Sequence, residues 1–244
     1  MRNIKLTIEY DGTNYAGWQA QGKKHRTIQE TLEKALQIIL GKRTKIAGSG
    51  RTDAGVHAIG QVANFKTDSA LAVEKLQKAL NAVLPDDISV TKAQEARPDF
   101  HSRFSAKSKV YRYTILNRQS RPTLLKDTVY FVPYPLNLKL MQKEARVLLG
   151  RHNFKSFQAA ADKKDSVRRI KNIKVSRDKD LIYIDIEADG FLYNMVRNIV
   201  GTLIEIGRGK LAEGSIKKIL MAGNRRVAGP TAPAKGLCLM EVKH

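Results

Sequence analysis

The sequence has little cysteine and no long apolar run, and each shortage excludes a class of protein. The single cysteine, Cys238, cannot form an internal disulfide, which indicates a reducing compartment. The most apolar window, 191–207, is interrupted by Arg197 and Glu205 and is too short to span a bilayer. The first residues, 1–10, run directly into an alternating strand pattern with no secretory signal. We therefore expect a cytoplasmic protein without a membrane span.

The common cofactor and metal motifs are also missing. There is no P-loop and no glycine-rich dinucleotide fingerprint, which removes the usual reasons to expect ATP or NAD. The histidines are dispersed, and only His57 lies near an acid in sequence, so a structural or RNA-contacting role suits it better than metal ligation. Zinc-finger spacing and the aromatic RNP1 pattern are absent as well. We predict no cofactor and no metal.

Negative charge is scarce relative to positive charge. The chain has 44 Lys and Arg against 23 Asp and Glu, a formal net charge of +21. The excess of Lys and Arg is spread through the second half of the chain, in segments such as 103–122 and 163–179, rather than confined to a tail. Such a surface favours a phosphate backbone, which it binds with release of counterions. Nucleic acid is therefore the expected partner, while an anionic membrane surface and a purely solubilising role for the lysines are the alternatives.

Periodicity in the first half predicts a βαββαβ order, the split βαβ or ferredoxin-like arrangement. Thr27 and Glu30 have the spacing of a capping box, and Gly41 is a stop signal for the helix that follows them. The predicted elements are a strand at 3–10, a helix at 28–40, two extended pieces that flank residues 50–57 (the second at 61–68), a helix near 72–83 and a strand at 88–96.

The second half repeats this order in outline. The predicted elements are a strand at 110–117, a helix near 137–149, strands near 169–177 and 181–188, helices at 191–206 and 212–221, and a closing strand at 236–242. We therefore predict an α+β protein of two ferredoxin-like halves, 1–104 and 105–244, with mixed, mainly antiparallel sheets and a catalytic cleft between them. The polar, basic link at 97–108 would place positive charge where the halves meet.

The most informative motif is GRTDAGVH at 50–57, because it sets a carboxylate, Asp53, in a glycine-bounded loop of a cationic protein. An acid that served only as part of a turn would weaken attraction for a polyanion. The simple alternative is that Asp53 hydrogen-bonds the turn, as Asp beside Gly often does. No second placed acid is evident, so a hydrolytic acid and base pair is not supported. A lone carboxylate indicates covalent or electrostatic work at one carbon centre.

Five separated motifs resemble, in order, those of the bacterial tRNA pseudouridine synthase A family. The resemblance covers essentially the whole chain, and several motifs in order are more specific than one short pattern. Small departures, HNF at 152–154 and VRRI at 167–170, lie outside the expected active site. The motifs are YDGTNYAGWQ at 10–19, GRTDAGVHA at 50–58, FSAKSKVYRY at 104–113, FLYNMVRNIVG at 191–201 and APAKGLCL at 232–239.

The resemblance implies a site and a substrate. Asp53 corresponds to the family's nucleophile, Tyr111 to the aromatic that packs on the target base, and Arg197 to the partner of the carboxylate. The expected substrate is uridine at positions 38, 39 and 40 in the anticodon arm of tRNA. The resemblance also implies a homodimer in which one tRNA contacts both subunits. Arg51 is a candidate grip on the phosphate beside the flipped nucleotide, or alternatively a loop cap.

These residue types suit the chemistry. Pseudouridine forms when the bond from ribose to uracil is broken at N1 and remade at C5. An ionised carboxylate can attack C1′, act there as a base on a glycal route, or attack C6 of the uracil, and the sequence leaves all three open. An adjacent guanidinium lowers a carboxylate pKa by roughly 1 to 3 units, which Arg197 would provide. Extruding the base costs about a few kcal/mol, which stacking on Tyr111 would offset.

Each assignment has a structural alternative. Arg197 could be an ordinary helix arginine, although its apolar neighbours require that it have a partner. Tyr111 could be a core aromatic, but Tyr113 points to the same face of the strand and suits the core better. Two other functions also stay open, namely a non-catalytic RNA-binding protein and an RNA base-removing hydrolase that uses the same acid to activate water.

Overall fold

The chain folds into two units, and its last strand belongs to the first of them. The computed structural model describes residues 1–20, 25–159 and 165–244. Within these ranges the first unit comprises Met1–Lys107 and Cys238–His244, and the second comprises Ser108–Leu237. The sequence had placed the final strand in the second half. The difference arises because Cys238 and Leu239 pair in parallel with His57 and Ala58 of the first unit.

The described elements follow the predicted order, with two additional short strands in the second unit. The strands are β1 (Arg2–Tyr10), β2 (Ala47–Gly48), β3 (His57–Thr67), β4 (Ile88–Ala96), β5 (Ser108–Leu116), β6 (Tyr130–Phe131), β7 (Gly150–Asn153), β8 (Val167–Asp178), β9 (Leu181–Ala188) and β10 (Leu237–Lys243). The α-helices are α1 (Ile28–Leu40), α2 (Val73–Val83), α3 (Leu138–Arg146), α4 (Met195–Gly207) and α5 (Ser215–Ala222).

The sheet of the first unit has β1 between β4 and β3, antiparallel to both. The short β2 pairs antiparallel with the far part of β3, and β10 pairs with its beginning. This is the βαββαβ arrangement that the sequence predicted. Strand β3 starts four residues earlier than predicted because β1 and β10 both pair with its first residues. It therefore begins directly after the GRTDAGVH loop.

Local signals define the bounds of α1. The Thr27 hydroxyl accepts the backbone N–H of Glu30 at 3.3 Å, which satisfies one of the donors left unpaired at a helix start. Gly41 ends the helix in the left-handed region, with a φ of 69° that suits glycine. Of the residues at helical spacing, Ile28, Leu32 and Leu36 are fully buried, while Ile39 in the last turn is only partly buried. The helix therefore has the bounds expected from the sequence.

The segment expected to link the halves is part of the first unit. Ser102 is fully buried, its hydroxyl donates to the carbonyl of Ala47 at 2.6 Å, and its N–H donates to Asn64 at 2.9 Å. These bonds hold 97–107 on the sheet of the first unit. The polar composition of this segment suggested a linker, but its serine Ser102 serves as a buried hydrogen-bonding group instead.

The second unit has a sheet in the order β5-β9-β8-β7, all antiparallel, with β6 parallel to β5. The α+β class with mainly antiparallel sheets is therefore confirmed. Helix α4 starts at Met195, four residues later than predicted, because Asn194 adopts a left-handed conformation with a φ of 58°. Among the described residues, no helix has the length and apolar character needed to cross a membrane.

Candidate active site

Asp53 lies in a tight turn between β2 and β3 and is half-buried. Its backbone carbonyl accepts the N–H of Val56 at 3.2 Å, and Gly55 adopts a φ of 76° inside the turn. The turn is thus closed in part by main-chain atoms of Asp53 itself. Arg51, two residues before, is exposed. Both predicted residues of the first unit therefore lie on the same loop.

The segment 11–20 braces this loop through its backbone. The N–H of Trp18 donates to the carbonyl of Thr52 at 3.0 Å, and the N–H of Gly55 donates to the carbonyl of Tyr15 at 3.3 Å. Gly17, with a φ of 94°, lies so close that a Cβ there would be 2.5 Å from the Thr52 carbonyl oxygen. Only glycine fits this position, both in backbone conformation and in space. The YDGTNYAGWQ motif is therefore the support of the loop that carries Asp53.

Two buried aromatic side chains, Tyr10 and Trp18, lie next to the loop. The Tyr10 hydroxyl and the Thr52 hydroxyl lie 2.8 Å apart, and the rings of Tyr10 and Trp18 are 6.1 Å apart between centroids. Burial raises the pKa of the Tyr10 phenol well above its ordinary value, so it stays neutral in the physiological range. A Cβ at Gly48 would overlap the Trp18 indole. Thr52, directly before Asp53, is thus fixed by a hydrogen bond to a buried aromatic side chain.

His57, directly after the loop, contacts the start of the bracing segment. Its Nδ1 is 3.1 Å from the backbone N–H of Gly12 and 3.0 Å from a carboxylate oxygen of Asp11. The same oxygen accepts the N–H and the hydroxyl of Thr13. Although partial burial opposes ionisation, the Thr13 hydrogen bonds and His57 together lower the pKa of the Asp11 carboxyl. His57 therefore has a structural role, one of the two that the sequence favoured.

A further cluster beside the loop was not anticipated. The Tyr15 hydroxyl donates to Asp87 at 2.5 Å, and Arg26 lies 3.7 Å from the same carboxylate and over the Tyr15 ring at 4.6 Å. Burial and the neighbouring carboxylate raise the pKa of the Tyr15 phenol. Tyr15 belongs to a motif that the sequence identified, but Asp87 is 72 residues away and carried no signal. The cluster ties the bracing segment to the start of β4.

In the second unit, Arg197 lies in the first turn of α4, and its guanidinium contacts include Ala232 and Asn194. Its Nε donates to the carbonyl of Ala232 at 2.8 Å, and its Nη1 donates to the Asn194 side chain at 2.8 Å. The N–H of Ala232 in turn donates to the Arg197 carbonyl at 3.1 Å. The expectation that an arginine among apolar helix residues needs partners is thus met by these contacts. These hydrogen bonds fix the orientation of the guanidinium.

Tyr111 and Tyr113 point to the same side of β5, but their surroundings differ. Tyr113 is fully buried, and its hydroxyl donates to the carbonyl of Pro233 at 2.7 Å. Tyr111 is 7% exposed, and its ring meets Phe191 edge to face at 5.1 Å between centroids. Both rings are buried, but only Tyr113 is completely enclosed, and it is the better core residue of the two, as the sequence favoured. Phe191 lies in a motif that the sequence identified, but its contact with Tyr111 was not predicted.

Groups of three or more histidine, cysteine or carboxylate side chains that could hold a metal ion do not occur in the part of the chain that the structure describes. The predicted residues fall into two sets. Asp53 and Arg51 share a loop of the first unit, whereas Tyr111 and Arg197 belong to the second.

Comparison with known proteins identifies the family. The sequence model described as tRNA pseudouridine synthase matches residues 6–105 and 145–244. Proteins called tRNA pseudouridine synthase A are similar over the full chain. Those of Thermoanaerobacter sp. and Acetivibrio thermocellus are each 47% identical over 243 residues, 99% of both chains, and that of Clostridium acetobutylicum is 45% identical over 245 residues, 100% of both. The chain therefore belongs to the family of tRNA pseudouridine synthases.

Proposed function

We propose that this chain isomerises uridine to pseudouridine at positions 38, 39 and 40 in the anticodon stem and loop of tRNA, with Asp53 as the catalytic carboxylate. The observation that carries the proposal is similarity to tRNA pseudouridine synthase A proteins over 99% of the chain. The braced loop around Asp53 supports the assignment of the carboxylate, since a catalytic group must be held in a fixed geometry.

The reaction breaks the bond between the ribose C1′ and N1 of uracil and forms a bond from C1′ to C5. The uracil must turn while it is detached, and the hydrogen at C5 leaves as a proton while N1 gains one. No atom is gained or lost overall. Asp53 would act as an ionised carboxylate, either by attack at C1′ or C6 or as the base of a glycal route. In each case the backbone bonds that hold Thr52 and Gly55 keep the carboxylate in place.

The second unit supplies two of the other proposed residues, Arg197 and Tyr111. Arg197 is proposed as the cationic partner that favours the charged form of the catalytic carboxylate. Its hydrogen bonds to Ala232 and Asn194 hold it in place before any substrate arrives. Tyr111 is proposed to pack on the extruded uracil, and its edge contact with Phe191 supports this because a rigid ring loses little freedom on stacking. Arg51, which is exposed, is proposed to contact a phosphate beside the target.

The charge of the chain supports tRNA as the substrate. A net charge of +21 favours a polyanion, and a surface that serves three neighbouring positions must read the backbone and the shape of the anticodon arm more than base identity. We propose that the protein acts in the cytoplasm, where tRNA is processed, and as a homodimer in which one tRNA contacts both subunits.

The test is release of tritium from tRNA labelled at C5 of uridine, with the parent chain and with Asp53→Asn. The parent should release tritium, and Asp53→Asn should lower the rate by at least about 10³-fold, as loss of a catalytic group commonly does. Arg51→Gln is the matched control from the same loop, and its effect should fall on tRNA affinity. Release by neither the parent nor the variant would reject an enzymatic function.

Mass analysis of the tRNA product separates an isomerase from a hydrolase. An isomerase leaves the mass of the tRNA unchanged, whereas a base-removing hydrolase leaves an abasic product that lacks uracil. A non-catalytic RNA-binding protein would release no tritium, and Asp53→Asn would retain all of its biological effects.

A further inference from the structure

The segment 225–232 packs against α4 with no space between the two backbones. A Cβ at Gly201 would overlap the carbonyl of Pro230, and a Cβ at Gly229 would lie 2.7 Å from the Cα of Thr202. The N–H of Gly229 donates to the Thr202 hydroxyl at 2.9 Å. The close contact fixes the position of the segment on the helix. It is possible only because Gly201 and Gly229 have no side chains.

The guanidinium of Arg225 binds this segment and α4 together through hydrogen bonds. Its Nη1 donates to the carbonyls of Ala228 at 3.3 Å and Gly229 at 2.8 Å. Its Nη2 donates to the side chains of Asn198 at 3.0 Å and Thr231 at 3.1 Å. Three of these four acceptors lie in the stretch 228–231, and the fourth, Asn198, lies on α4. This is the planar fork of arginine used as an internal clamp, which the single ammonium of lysine cannot reproduce.

Asn198 connects the clamp to α4. It is fully buried, and its amide nitrogen donates to the carbonyl of Phe157 at 2.7 Å. Its amide oxygen accepts from Arg225 and from the Thr231 hydroxyl, the latter at 2.7 Å. Every polar atom of this side chain is used, and buried networks of this kind enforce a single arrangement when they are fully satisfied.

The end of the clamped segment meets Arg197. Thr231 is followed by Ala232, whose carbonyl accepts the Nε–H of Arg197 and whose N–H donates back to the Arg197 carbonyl. We infer that Arg225 is a positioning residue for the reaction: by clamping 228–231 on α4 it fixes the Ala232 carbonyl, and through it the direction of the Arg197 guanidinium. The inference rests on the proposed role of Arg197.

Direct contact of Arg225 with RNA is the competing explanation, and its hydrogen bonds argue against it. An arginine that grips a phosphate offers its Nη–H groups outward, whereas those of Arg225 are engaged by the four internal acceptors. Burial also lowers the pKa of Arg225 from its ordinary value, as expected for a partly desolvated group. The neighbouring Arg226 is exposed and serves as a matched charge control.

The experiment compares kcat and KM for tRNA in Arg225→Met, Arg225→Lys, Thr231→Val and Arg226→Met. Arg225→Met should lower kcat by about 10- to 100-fold with little change in KM, since a misplaced catalytic group costs about that much. Arg225→Lys should restore only part of kcat. Arg226→Met removes the same charge and should leave kcat within about twofold of the parent. Thr231→Val, which keeps the shape of the side chain, should lower kcat in the same direction as Arg225→Met and decides the question if Arg225→Met does not fold.

A double-mutant cycle distinguishes positioning from general destabilisation. In an Arg197→Lys background the Nε–H bond to Ala232 is already lost, so adding Arg225→Met should change kcat by no more than about twofold. Multiplication of the two single effects would overturn the inference, as would an unchanged kcat in Thr231→Val, or equal rises in KM for Arg225→Met and Arg226→Met. A parent chain that forms no pseudouridine would instead reject the proposed function, so the two failures are separable.

Discussion

The loop that carries Asp53 and the helix start that carries Arg197 are held by different means. The loop is braced mainly by backbone bonds, from Trp18 to Thr52 and from Gly55 to Tyr15. Arg197 is held through its own side chain, which donates to Ala232 and Asn194. A backbone brace tolerates side-chain changes but not changes of backbone conformation, whereas a side-chain clamp is sensitive to single substitutions. The positions of Asp53 and Arg197 should therefore be sensitive to different kinds of substitution.

After loss of the Asp53 carboxylate itself, the largest effect is expected from breaking the backbone brace. Gly17→Ala places a Cβ 2.5 Å from the Thr52 carbonyl and forces alanine to a φ of 94°, so the loop must shift. We expect kcat to fall by about 10²-fold and the free energy of unfolding to fall by about 1 to 3 kcal/mol.

Gly41→Ala is the control for this change, because Gly41 also has a positive φ, 69°, but has open space around it. It should cost about 1 kcal/mol of stability and leave kcat unchanged. Equal kcat for Gly17→Ala and the parent would show that the brace does not set the position of the loop that carries Asp53.

An intermediate effect is expected in the second unit, from removal of the Tyr111 ring. Tyr111→Leu loses a stacking surface worth about 1 to 3 kcal/mol, so kcat should fall by about 5- to 100-fold. Tyr111→Phe keeps the ring and should stay within about threefold of the parent. Single-turnover rates with saturating enzyme measure both. A loss in Tyr111→Phe as large as that in Tyr111→Leu would argue against stacking as the role of this residue.

The smallest effect is expected from Asp11, which lies in the bracing segment 11–20. The pKa of Asp11 is lowered in the folded chain, so its carboxylate contributes stability above its ordinary pKa of 3.8, and this contribution is lost as the pH falls through the lowered value. Asp11→Asn should therefore lower Tm by about 1 to 3 °C at pH 7. The difference from the parent should shrink below about pH 4.

Asp86→Asn is the control, since Asp86 is exposed and the substitution removes the same charge. Its Tm at pH 7 should differ from that of the parent by less than the Tm of Asp11→Asn does. A Tm difference for Asp11→Asn that is constant from pH 7 to pH 3 would show that the carboxylate contributes through shape alone.

Much of the first unit could be predicted because its signals are local. Thr27 and Gly41 mark the ends of α1 through hydrogen bonds that span only a few residues, and the alternation in 3–10 predicted β1. The GRTDAGVH motif identified the loop for the same reason, since Gly55 supplies the positive φ of 76° within the turn. The late start of α4 was missed, because the left-handed conformation of Asn194 follows from its surroundings.

The amino-acid order thus specified the α+β class, most helices and strands, and the family, because periodicity, caps and ordered motifs are properties of neighbouring residues. Folding in three dimensions alone established that β10 pairs with β3, that Tyr15 meets Asp87, and that Arg225 clamps the segment beside Arg197. These contacts join residues far apart along the chain, or depend on backbone packed too closely for any side chain. Neither property leaves a periodic trace in the sequence, so the tertiary packing of the chain was required to reveal them.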